Sequence, residues 1–95
     1  RQGEGAHLGN LGNAYSALGQ VEKAIEYYQQ ALTISREIGH RQGEGNRLGN
    51  LGNAYRALGQ VEKARAHLEQ SLAIFVEIKS PYADLVRKEL EKLKE

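Results

Sequence analysis

A 24-residue block occurs twice in this chain, 40 residues apart, and that duplication limits the fold more than any other feature. Residues 1–24 read RQGEGAHLGNLGNAYSALGQVEKA and residues 41–64 read RQGEGNRLGNLGNAYRALGQVEKA; they differ only at Ala6/Asn46, His7/Arg47 and Ser16/Arg56. A fixed period of this length is the signature of units that bury their apolar faces against one another. The second half of each unit has drifted further, with AIEYYQQALTISREIGH facing ARAHLEQSLAIFVEIKS.

Within the units the apolar spacing is helical. Leu8, Leu11, Tyr15 and Leu18 advance by three, four and three residues, which keeps them on one stripe. Gly19 follows as a stop, since glycine is favoured just past a helix end. A second stripe runs through Val21, Ala24, Ile25, Tyr28, Ala31, Leu32, Ser35 and Ile38 and stops at Gly39. The pattern recurs as Leu48, Leu51, Tyr55 and Leu58 before Gly59, then as Val61, Ala64, Leu68, Leu72, Phe75 and Ile78. Turns of two or three residues force antiparallel neighbours, so each unit is a helical hairpin. Ser80 is the expected N-cap of a fifth helix, with Pro81 in its first turn. Tyr82, Leu85, Val86, Leu90 and Leu93 form its apolar stripe, opposite a charged face of Arg87, Lys88, Glu91, Lys92, Lys94 and Glu95. The expected class is all-α: an α-solenoid of two hairpins plus a C-terminal capping helix, the rival for that last helix being a linker to further chain. The expected divisions are 1–40 (helices about 2–18 and 21–38), 41–79 (about 42–58 and 61–78) and 80–95.

Leu11-Gly12, Tyr15, Leu18-Gly19, Ala24, Tyr28 and Ala31 resemble the tetratricopeptide repeat, a helix–turn–helix unit of about 34 residues. Leu51-Gly52, Tyr55, Leu58-Gly59, Ala64 and Leu68 repeat the match, with Ser71 in place of the last Ala. Small residues at Gly12, Ala24 and Ala31 suit the closest approach of two helices, and Tyr15 and Tyr28 fill the space beside them. The period is longer than that of the standard unit, and its terminal proline is missing. The LGN-LGNAY wording is similar to Leu-Gly-Asn-type repeats of spindle-orientation scaffolds and to long bacterial and cyanobacterial tetratricopeptide arrays. The resemblance implies a right-handed stack whose concave wall is lined by each unit's first helix and binds a peptide. Carried onto this chain, that wall runs Ala6, Asn10, Asn13, Ala17 and Asn46, Asn50, Asn53, Ala57, flanked by Gly9, Gly49, Ser16 and Arg56. A carboxylate clamp of the kind some relatives use is not expected, because Gly9 and Gly49 stand where its lysine would be.

The expected peptide-binding residues are Asn10, Asn13, Asn46, Asn50, Asn53 and Arg56. Asparagine is a poor helix former, so its recurrence on one face needs a tertiary reason. Its amide can donate to and accept from a ligand backbone; bonding between helices and simple solvation are the alternatives. Arg56 is expected either to meet a ligand acid or to be an ordinary surface arginine. Gly9 and Gly49 are expected to leave the groove floor open, and Gly3 and Gly5 to fray the first helix. His7, the counterpart of Arg47, marks that position as exposed.

Other functions find little support. No GxGxxG or P-loop spacing is present, His7, His40 and His67 make no metal or catalytic arrangement, and the acidic residues are interleaved with basic ones. No enzyme activity, cofactor or metal is expected. The formal charge is +1, from 13 basic and 12 acidic residues, so neither nucleic acid nor an anionic membrane is an expected partner. No run approaches the length of a spanning helix, no signal peptide opens the chain, and there is no cysteine; a reducing, cytoplasmic setting is expected. Arg1 in place of Met suggests a fragment of a longer array. The expected partner is a protein or peptide, with a possible homo-oligomer through repeat stacking or helix exchange. A structural spacer or self-assembling element is the second functional expectation.

Overall fold

A computed structural model describes residues 2–93. Its elements are α1 (Gln2–Ala17), α2 (Val21–Ile38), α3 (Arg41–Ala57), α4 (Val61–Glu77) and α5 (Tyr82–Leu93), with no strand among the described residues. The expected helix limits lie within one or two residues of these, and the expected portions at Arg1, Lys94 and Glu95 lie outside the described residues. Gly3 and Gly5 do not fray α1, which runs through both. Gly5 is buried against α2, where an added Cβ would touch Ile34 at 3.4 Å.

Helix ends follow from glycine. Gly39 has φ 71°, and its N–H and that of His40 return to the carbonyls of Arg36 and Ser35, closing off α2. Gly19 and Gly59 make the two intra-unit turns at φ 81° and 78°. At the fourth such point the chain has Lys79, held at φ 57° with a side chain that disfavours it. Ser80 Oγ then accepts the Tyr82 amide at 3.2 Å, so α5 starts from the expected cap.

Successive helices pack on their chain neighbours, α1 on α2, α2 on α3, α3 on α4 and α4 on α5. One cluster holds Ala24, Ile25, Tyr28, Leu32, Leu48, Leu51, Ala54, Tyr55 and Ala64; a second joins Leu68 and Phe75 to Ala83 and Val86. The small residues do what close approach demands, since Ala24, Ala31 and Ala64 are fully buried and a Cβ on Gly12 would lie 2.6 Å from the Tyr28 ring. Ile34 and Ile74 are buried although neither lay on the expected stripe. Each second helix is wedged between its own first helix and the next one, which widens its buried arc beyond a single stripe. At the hairpin tips the opposite correction applies, because Leu18 is 69% exposed and Leu58 36%. Leu58 shares a surface pocket with the preceding turn at Gly19–Lys23.

Candidate functional site

The first helices of both units and α5 line a cavity of about 350 Å³. From α1 it takes Asn13, from α3 Asn46, Arg47, Gly49, Asn50 and Asn53, and from α5 Tyr82, Leu85, Val86 and Glu89; Gly45 and Phe75 complete it. Four of the six expected groove residues, Asn13, Asn46, Asn50 and Asn53, therefore meet around one space. Asn10 is exposed and Arg56 half-buried, and neither reaches that cavity.

The asparagines are not equivalent in their bonding. Asn13 Oδ1 accepts the Tyr28 hydroxyl at 2.6 Å, tying α1 to α2. Asn46 Oδ1 accepts the Gln42 amide at 3.2 Å, one turn earlier on α3. Asn53 repeats Asn13, but position 68 carries Leu where position 28 carries Tyr, so the donor is gone. Its Oδ1 is buried with no hydrogen-bond partner. A buried acceptor without a donor costs about 1–3 kcal/mol, a cost that a ligand N–H would relieve if it displaced the side chains covering this oxygen. Ser71 Oγ donates to the Gly45 carbonyl at 2.8 Å, so the hydroxyl that replaces the expected Ala is itself satisfied.

Arg47 overturns two expectations. Its position is not plainly exposed, and Gly9 does not open the floor. The Arg47 guanidinium lies over Gly9, where an added Cβ would come within 2.5 Å of its central carbon, and Gly9 is buried beneath it. Burial pushes the Arg47 pKa down, an effect partly offset by the nearby Tyr28. No carboxylate pairs with it among the described residues. Gly49, by contrast, opens onto the cavity as expected. The signal for Arg47 was available, since it is one of three differences between near-identical blocks. Tyr82 and Leu85 lay on the expected apolar stripe of α5, but only packing shows that they border the cavity, half exposed, together with Glu89.

Among the described residues no group of three His, Asp or Glu side chains is placed to hold a metal ion. No described helix is long and apolar enough to cross a membrane.

A tetratricopeptide repeat model matches residues 4–75. The chain belongs to the tetratricopeptide repeat family. No curated protein matches it. Among solved structures it is similar to a Podospora anserina protein assigned as a kinesin light chain with nearly identical TPR-like repeats. The TM-score is 0.79 at 26% identity, over 98% of this chain and 46% of that one. The chain thus spans about half the length of that neighbour. Tetratricopeptide repeats generally mediate protein–protein interaction, and they are typically scaffolds without catalytic activity.

Proposed function

We propose that this chain is a protein-interaction module that binds a peptide segment in the cavity between α1, α3 and α5. One observation carries the reading: Asn53, whose buried Oδ1 has no donor, lines one space together with Asn13, Asn46 and Asn50. An extended peptide supplies backbone N–H and C=O groups at intervals that side-chain amides on one helix face can meet. Selection of displayed random peptides on the immobilised chain tests it. Selected peptides should lose most of their binding to an Asn50→Ala/Asn53→Ala variant that keeps its helical spectrum. Peptides that bind this variant as well as the parent chain would sink the proposal.

A self-assembling element is the second reading, favoured by a separate observation. Leu48, Leu51 and Ala54 of α3 are at most 5% exposed, while their counterparts Leu8 and Leu11 are partly exposed and Ala14 is exposed. The face that α2 covers on α3 is left open on α1. Light scattering across a concentration series separates the readings: growth in mass that Leu8→Gln/Leu11→Gln abolishes supports assembly, and a constant monomer mass removes it.

A further inference from the structure

Two near-identical units let one serve as the template for the other. In the first, the Arg47 guanidinium lies over Gly9, with Nη1 2.5 Å from where a Cβ would stand. Forty residues on, Gly49 holds the place of Gly9, and Arg87 is the residue that would correspond to Arg47. Arg87 turns away, with its Nη1 bonded to Asp84 Oδ1 at 2.8 Å on the exposed side of α5. A Cβ on Gly49 would meet only Ser71 Oγ, at 3.4 Å. The surface over Gly49 is accordingly part of the cavity and is covered by no arginine among the described residues.

The groups around it share one requirement. Asn53 Oδ1 is a buried acceptor without a donor. Glu89 lines the same cavity and forms no ion pair among the described residues. Tyr82 brings an aromatic ring to the wall. A guanidinium has donors only, is flat enough to lie on a glycine backbone, and stacks on aromatic faces. We infer that this seat receives the arginine side chain of a partner polypeptide, lying over Gly49 as Arg47 lies over Gly9, with Glu89 as its acceptor and Asn53 on the wall beside it. The inference rests on the peptide-binding reading above. Arg47 closes the α1 side of the cavity with a like charge, so the seat depends on Glu89. An acidic side chain at the seat would instead face that carboxylate.

The test titrates Ac-Gly-Arg-Gly-NH2, and its lysine, citrulline and glutamate analogues, into the isotope-labelled chain followed by NMR. The arginine peptide should shift the Gly49 amide and the Asn53 side-chain amide saturably. The citrulline analogue, which keeps the shape and loses the charge, should bind several-fold more weakly. Glu89→Gln should weaken the arginine peptide about tenfold, the usual loss for one charge-assisted bond. Gly49→Ala adds a Cβ that the fold accommodates but the guanidinium cannot, and should abolish the shifts with the rest of the spectrum intact. Unchanged binding to Gly49→Ala, or a glutamate peptide that binds as well as the arginine one, overturns the inference. The displayed-peptide selection separates its failure from that of the groove. Selected peptides that need Asn50 and Asn53 but carry no arginine would refute the seat alone, and peptides indifferent to both asparagines would refute the groove as well.

Discussion

Asn13 and Asn53 hold equivalent places and face different neighbours, because Tyr28 is replaced by Leu68 in the second unit. Changing either to Ala brings the same gain in helix propensity, so the difference between the two variants isolates the side-chain bond. Asn13→Ala loses the bond from Tyr28, and Asn53→Ala removes an acceptor that is buried without a partner. Urea denaturation should place Asn13→Ala about 1–2 kcal/mol below Asn53→Ala in stability. Equal stabilities would contradict the bonding described. Tyr28 also makes a pH prediction. Burial raises its folded-state pKa above the ordinary tyrosine value of 10.0, with Arg47 acting in the opposite direction. The neutral phenol is thus the form that the fold favours. Its contribution is fully present below the unfolded pKa and is lost as pH rises through the folded one. Stability of the parent chain should fall at alkaline pH above about 10, and Tyr28→Phe should show a smaller fall on the same pH series.

At the level of helices, a two-unit chain contains its own controls. Gly39 and Lys79 both turn the chain out of a second helix in the left-handed region, at φ 71° and 57°. Only glycine does so without a Cβ penalty. Lys79→Gly should therefore raise stability by about 1 kcal/mol, read from the thermal midpoint, with α5 still docked. A lower midpoint would mean that the lysine stem supplies packing worth more than the strain. Arg41 bonds to Glu44 at 2.9 Å and to Glu77, linking the starts of α3 and the end of α4 at the surface. Solvent screens ion pairs of an exposed arginine, so apolar burial remains the main force holding the helices in order.

Across the whole molecule the two ends of the stack differ. α5 covers the last second helix, with Ala83 and Val86 buried against Leu68 and Phe75, while its Tyr82 and Leu85 remain about half exposed beside the cavity. α1 has no such cover among the described residues. Truncation after residue 79 should uncover Leu68 and Phe75, lower the thermal midpoint, and give concentration-dependent association by light scattering. A truncated chain that stays monomeric and equally stable would show that α5 is a bystander to the stack.

The helical hairpins, their order and the tetratricopeptide pattern were legible in the residues, because periodicity and glycine stops are local properties that the chain states twice. The same logic set five asparagines and Arg56 on one wall, and Asn10 and Arg56 lie outside the cavity that the other four line. The fate of Arg47 over Gly9, the orphaned Asn53 oxygen and the turning of Tyr82 and Leu85 toward the cavity were decided by tertiary packing. Each depends on which side chain from another helix arrives at a given spot, and near-identical blocks acquire different neighbours once one of them lies at an end of the stack.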